Sequence, residues 1–458
     1  MPNNLRNDNL VKVTSLVANL PRTTFVGFES LSSQGQIIAL FDEDWKPINK
    51  LTGHGWVLLN KTPFFAEGGG QASDRGYFEK DQQQISLIAV NKDVVAGYFF
   101  HKVATNAKTE LAIGDSLNAF VDEKWRHDSS KNHSALHITW QATLNQLDHF
   151  VDEVGSKLNG DKYQLQLAND PSLTPEVAWE ATKHVNEIWI PANIAPNIFE
   201  ISPEEAKAKN YLYEFTKVNP WELVRIVEFP TIITEPCSGT HVKSTKEMEQ
   251  IYFLDFERKA KSIVIDMTAN YDFAQQWFFD KLVTKIKTLV DKMHQYPQID
   301  FVDITEELMG LEKSWNYLSI RRVNALVNDI TKRINQFEKE QVKLITAESQ
   351  NPANWNQISK GEFVFWETSN PNFTNKILLP LAINEVKKAN RPLVFLNTFA
   401  SGANCILIKP ASLENDLKTL AQKLLTKTSL KGGGQPTLIQ MVSNEPLPKQ
   451  EIYKIFEK

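Results

Sequence analysis

Two histidines stand four apart in the stretch NHSALHITWQ, His133 and His137. On a helix such positions share one face about a turn apart, so both imidazoles leave the same side. A hundred residues later the stretch CSGTH sets Cys237 and His241 four apart again, with Gly239 between them in a turn-rich run. Three imidazoles and a thiolate, arriving in two pairs, are the number and chemistry that zinc favours. The plainer alternative is a pair of core histidines and an inert buried cysteine. Ser134 follows His133, so the helix lacks the base of a His-Glu-x-x-His metalloprotease. Spacing alone leaves open whether such a metal is structural or catalytic. A third feature lies upstream, in KTPFFAEGGGQASDRGYF, residues 61–78, where a strand-like run enters three glycines and then Gln71 and Asp74. Glycines let a backbone approach a ligand and offer unshielded N–H donors, although a hairpin bend is the commoner reason for them.

These residues need elements to hold them. Residues 1–95 hold short β-branched or alternating runs broken by turn residues, which predicts a small β-barrel carrying the glycine loop. Residues 96–270 read as an α+β domain with the candidate zinc ligands. Within it, Leu136, Trp140, Leu144 and Leu147 recur at helical spacing. Thr174, Pro175 and Glu176 make a helix start, and WELVRIVEF and EQIYFLDFE read as strands. In residues 271–346, Phe278, Leu282, Ile286, Leu289 and Met293 form one stripe, and Val323, Val327, Ile330, Ile334, Phe337 and Leu344 alternate by threes and fours, with Gln341 as the one polar seam position. That spacing predicts a helical hairpin or short coiled coil, with ordinary helix core as the alternative. Residues 347–458 alternate strands with amphipathic helices and close on LKGGGQPTLIQMV, an α/β unit. The whole is an α+β multidomain chain.

The totals agree with a globular protein. Of the 458 residues, 42% are apolar and 23% charged, a length that calls for several domains. No apolar run is long enough to span a bilayer, and MPNNLRNDNL lacks the apolar core of a signal peptide. With two cysteines far apart, Cys237 and Cys405, no disulfide framework is expected, and a reducing cytoplasm is the natural compartment. A net charge of −5 does not advertise nucleic-acid binding. It does not exclude it, since a local basic face acts within a Debye length.

In this order and spacing, the Thr-Pro-Phe lead-in, the Gly-Gly-Gln, the His-x3-His and the Cys-x-Gly-Thr-His resemble the editing domain of alanyl-tRNA synthetases. They resemble equally its stand-alone AlaX-type relatives. LKGGGQP is similar to the glycine motif of the synthetases' C-terminal DHHA1 domain. The resemblance covers nearly the whole chain, from about residue 20 onward. It implies a trans-editing ester hydrolase that deacylates mischarged tRNA(Ala), above all Ser-tRNA(Ala), with zinc as cofactor, the tRNA acceptor end as partner and no aminoacylation activity.

Residue by residue, the resemblance puts the zinc ligands on His133, His137, Cys237 and His241. Thr62 becomes the sensor of the serine hydroxyl, and Gly69, Gly70 and Gln71 become the pocket for the ester and terminal adenosine. Asp74 and Glu67 fall into loop-shaping roles. Lys431 with Gly432, Gly433 and Gly434 would meet tRNA phosphate, and the C-terminal region would support a homodimer. Ser238 replaces a family glycine, Glu153 stands where many relatives have glutamine, and Gln435 replaces a C-terminal arginine. Such departures imply a divergent member. A catalytically inactive tRNA-binding paralogue with a structural zinc, and the threonyl-tRNA synthetase editing branch, are the competing readings.

Overall fold

The computed structural model describes residues 13, 15–93, 97–106, 109–211, 223–414 and 416–457. The boundary placed at residue 95 and the first two residues of the strand predicted at 221–229 lie outside these. The chain divides into two units, Met1–His294 with Val302–Leu326, and Gln295–Phe301 with Val327–Lys458. No helix among the described residues is long and apolar enough to cross a membrane.

In the first unit, one antiparallel sheet runs in the order Ser116–Val121, Gly76–Lys80, Gln83–Lys92, Phe99–Ala104, His54–Leu59, Ser32–Phe41, Pro47–Ile48. Ser116–Val121 also pairs with Ser32–Phe41, which closes six of the strands into a barrel. The ring therefore reaches Val121, past residue 95, because its closing strand comes last in the chain. Alternation supplies the inside: Leu117, Ala119 and Val121 from one strand join Ile37, Val57, Phe64, Phe78 and Val103 in a core sealed from water.

Asp122 ends the barrel and begins the next element. Its side chain accepts from the Trp125 amide, capping the helix Glu123–Asn145. This helix is buried on nearly every side, and many of its buried residues are polar: Asp128, Ser129, Ser130, Asn132, His133, Ser134 and His137. Buried polar side chains need partners, so such a helix must lie against a site rather than a plain core. Four antiparallel strands pack against it in the order Glu153–Leu158, Tyr163–Ala168, Ser262–Thr268, Tyr252–Arg258. A further sheet of Asn197–Ile201, Val224–Phe229 and Ile233–Pro236 leads straight into Cys237. The helix predicted after Thr174 spans Pro175–His184, with Thr174 Oγ1 accepting from the Val177 amide at 3.3 Å.

Between residues 271 and 349 the helical stripes are sound but their arrangement has three members. Tyr271–Phe278, the π turn Phe279–Val283 and Thr284–His294 follow one another, with Phe278, Leu282, Ile286, Leu289 and Met293 all buried. Val302–Leu311 intervenes before the long helix Tyr317–Ser349. On the latter Val323, Leu326, Ile330 and Ile334 are buried, whereas Leu344 is 64% exposed. The heptad seam is thus covered only along its first half.

The second unit is a six-stranded sheet in the order Asn356–Lys360, Phe363–Thr368, Leu393–Phe399, Gly402–Ile408, Leu438–Ser443, Lys431–Gln435. Phe363–Thr368 and Leu393–Phe399 are its parallel pair, joined through the helix Asn375–Ala389. Two apolar clusters, one built around Phe373 and Phe395 and one around Phe365 and Ile452, are its core. Cys405 lies fully buried there, and burial pushes its thiol up to about 12.

Candidate metal centre

The two predicted pairs meet. One ligand atom from each of His133, His137, Cys237 and His241 lies within 4.8 Å of the others. His133 Nε2 and His241 Nε2 stand 3.3 and 3.2 Å from Cys237 Sγ. His137 Nε2 is buried and has no hydrogen-bond partner, an uncompensated polar atom that an ion would satisfy. The residues present therefore fit a tetrahedral zinc ion with one sulfur and three nitrogen donors.

What turns each ring is a second layer of contacts. His133 Nδ1 hydrogen-bonds Gln71 Oε1 at 2.7 Å, His241 Nδ1 hydrogen-bonds Ser134 Oγ at 3.1 Å, and His137 Nδ1 hydrogen-bonds Glu235. Each Nδ1 is thus engaged from outside, leaving Nε2 to face inward. Gln71 does more than support one ring. Its Oε1 also accepts from the Thr240 amide (3.0 Å), and its Nε2 donates to Thr240 Oγ1 (2.9 Å). Thr240 Oγ1 and Ser130 Oγ are hydrogen-bonded in turn at 2.8 Å. One glutamine thereby ties the glycine loop, the helix and the cysteine loop together. Gln71 is fully buried.

Charge follows from this geometry. Burial alone raises the Cys237 thiol, but His133, His241 and His137 overcome it and hold the thiol well below its ordinary value. That favours the thiolate, the form that binds metal. Burial lowers His241 to about 3, keeping its imidazole neutral. Burial also raises Glu153, against the pull of His137 and His133. The departure noted in the sequence therefore lies in the electrostatic neighbourhood of the centre.

The loops are cut to measure. A Cβ on Gly239 would lie 2.8 Å from Gln71 Oε1 and closer still to the His133 ring, so only glycine fits between the cysteine and the last histidine. In the glycine loop, Gly68 and Gln71 exchange amide–carbonyl bonds of 3.1 and 3.0 Å around Gly69 and Gly70, whose φ angles are +56° and +81°. Ala72 and Leu158 anchor the turn to the strand Glu153–Leu158. Both Gly69 and Gly70 are exposed, and among the described residues neither amide donates a hydrogen bond.

Other predicted residues sit elsewhere. Thr62 is fully buried in the barrel, where its Oγ1 hydrogen-bonds His101 Nε2 at 2.8 Å and accepts from the Phe64 amide at 3.2 Å. Burial lowers His101 to about 4, so its neutral ring takes the Thr62 proton while its other nitrogen faces the Val57 carbonyl. Asp74 accepts from Arg126 Nε at 2.9 Å, and again from its Nη2, in a buried bidentate pair. Lys431, Gly432, Gly433 and Gly434 form an exposed edge strand of the second unit. On the helix Tyr317–Ser349, Arg321 pairs with Glu176 at 2.5 Å and Arg322 donates to Glu307 at 2.9 Å.

Sequence reasoning missed Glu235, Ser134, Thr240, Arg126 and His101. Only Glu235 carried a readable signal: two residues before Cys237 in a strand-like run, it shares that residue's face. A cavity of about 1350 Å³ opens beside His241, with His127, Ser130, Thr240, Arg225 and Phe28 in its wall.

Residues 3–125 match the family described as tRNA synthetases class II (A). Residues 224–264, which include Cys237 and His241, match the Threonyl and Alanyl tRNA synthetase second additional domain. The alanine–tRNA ligase of Mycoplasmopsis pulmonis (strain UAB CTIP) is 26% identical over 98% of this chain and 50% of its own length. That of Coxiella burnetii (strain Dugway 5J108-111) is 30% identical over 67% of this chain and 36% of its own. The solved C-Ala domain of Aquifex aeolicus alanyl-tRNA synthetase aligns with 22% of this chain at 14% identity and a TM-score of 0.21. The chain spans about half the length of the curated relatives it matches, or less. It is related in sequence to alanyl-tRNA synthetases and carries a segment of their second additional domain.

Proposed function

We propose that this chain hydrolyses the ester joining a wrong amino acid, serine foremost, to the 3′-terminal ribose of tRNA(Ala). The observation that carries the reading is the convergence of four ligand atoms within 4.8 Å beside a loop whose two exposed glycine amides are uncommitted. Zinc bound by His133, His137, Cys237 and His241 would supply Lewis-acid chemistry to an ester or to water. The amides of Gly69 and Gly70 are suited to a tetrahedral oxyanion, since both glycines are exposed and among the described residues neither amide has a hydrogen bond to give up. Gln71, Glu235 and Ser134 hold the imidazoles in the ligating tautomer, and Gly239 lets the cysteine loop close over His133. Serine differs from alanine by one hydroxyl, and a site offering that hydroxyl a partner discriminates by roughly 10⁴-fold or more. The Thr240 hydroxyl in the cavity wall is suited to that role, since it accepts from Gln71 and Ser130, whereas Ser130 and Thr62 have their protons engaged by Thr240 and His101. In this reading Lys431 and Gly432 to Gly434 contact tRNA through an exposed strand edge.

The test is deacylation of Ser-tRNA(Ala) and Ala-tRNA(Ala) by the full chain, with metal content measured on the same sample. We expect one zinc per chain, faster loss of the serine ester, and loss of both metal and turnover in His133→Ala. Binding of tRNA without turnover would instead support a tRNA-binding paralogue with a structural metal, and equal cleavage of both esters would remove the editing assignment.

A further inference from the structure

Phe28 stands in the wall of the cavity beside His241 with 49% of its surface exposed. Exposed phenylalanines are ordinary on protein surfaces, but this one is built in. Its turn is closed by the Glu29 and Ser30 amides, which donate to the Val26 carbonyl at 3.2 and 3.0 Å. A Cβ on the preceding Gly27 would lie 2.5 Å from the Phe25 ring and closer still to the Pro63 carbonyl. The Gly27 carbonyl accepts from Arg126, the same guanidinium that grips Asp74. Phe25 meets the Phe28 ring edge-on, with centroids 4.9 Å apart and planes at 83°. The Arg225 guanidinium lies over one face of the ring, 4.3 Å from its centroid, which leaves only the opposite face for a base, and its Nη1 donates to the Cys237 and Gly239 carbonyls at 2.7 and 3.1 Å. The ring is therefore fixed between the barrel and the loop that carries two of the four ligands.

Resting on the deacylase reading, we propose that Phe28 is a stacking shelf for the terminal base of the acceptor strand, held in register with the metal loop by Arg225. Two observations choose a base over a phosphate or an amino acid alone. The cavity wall carries both signs, Lys124, Arg126, Arg225 and Lys243 against Glu29, Asp122, Glu123, Glu200 and Glu247, so it gathers no net positive field for an anion. A neutral base needs none, because stacking on an aromatic face works for every base. The volume of about 1350 Å³ also exceeds the roughly 300–1,000 Å³ of ordinary small-molecule pockets, room for more than a single amino acid.

The experiment uses the full chain and an acceptor-stem minihelix with 2-aminopurine as its terminal base and serine attached through a non-hydrolysable amide. Stacking on Phe28 quenches the fluorescence. We expect quenching with the unaltered chain, its loss in Phe28→Ala with binding weakened roughly 10- to 100-fold, and its recovery in Phe28→Trp. Should Phe28→Ala fail to fold, Phe28→Leu keeps an apolar contact without a π face and takes its place. Quenching equal in the unaltered chain and the variant overturns the shelf. A chain that cleaves the seryl ester of the same minihelix without quenching overturns the shelf and leaves the deacylase reading standing. One that neither binds nor cleaves it overturns both.

Discussion

The tetrapeptide Gly-Gly-Gly-Gln occurs twice in this chain, at 68–71 and at 432–435. At the first, two glycines take positive φ in a tight turn and deliver a fully buried glutamine to His133. At the second, the same residues form a strand, with Gly432 at φ +146°, paired with Leu438–Ser443 on one side and exposed along their whole length. Identical local chemistry has met different neighbours. The first copy is pinned by Leu158 on one side and by the Thr240 amide and hydroxyl at its glutamine. The second lies at a sheet edge, with a strand partner on one side only among the described residues. Glycine allows both outcomes at little steric cost, so the surroundings decide between them.

The largest way to break the comparison acts at the point where the first copy's glutamine meets the cysteine loop. Gly239→Ala sets a methyl against the His133 ring and Gln71 Oε1. We expect at least about a 100-fold loss of zinc affinity and roughly 3 kcal/mol or more of stability, measured by chelator competition and urea unfolding. Ordinary zinc retention in this variant would mean that the loop does not close over His133.

A smaller effect separates the two glutamines. Gln71→Ala removes the outer partner of His133 and should weaken zinc about 10- to 100-fold. Gln435→Ala, on an exposed edge, should leave zinc affinity unchanged and stability within about 0.5 kcal/mol. Equal effects would show that Gln71 does not orient the ligand.

The smallest contrast lies in the glycines. Gly70 has φ +81°, and a Cβ there would lie 2.8 Å from the Ser156 carbonyl. Gly70→Ala should cost about 1–3 kcal/mol in thermal or urea unfolding. At Gly433 a Cβ meets nothing within 4 Å, so Gly433→Ala should be near neutral. A neutral Gly70→Ala would mean that the turn can relax away from the strand Glu153–Leu158.

Regular periods were legible from residues alone. Alternation marked most barrel strands, threes and fours marked the stripe from Phe278 to Met293, and an i, i+4 pair of histidines marked a ligating helix face. The barrel's last strand escaped the first boundary because closure is a pairing between residues 80 or more apart, with no local trace. Leu344 matched the heptad yet stands exposed, since a seam is buried only where something lies against it.

The amino-acid sequence by itself determined the donor set, its two spacings, and the glycines that both loops require. Those features follow from helix periodicity and from the space a side chain takes, which operate within a few residues. Only the tertiary structure decided that Gln71 would hydrogen-bond His133, that Thr62 would hydrogen-bond His101, and that Asp74 would bind Arg126. Each of these bonds joins residues between 39 and 62 positions apart. A hydrogen bond over such a distance has no period, and it exists only once the barrel and the helix have brought its donor and acceptor together.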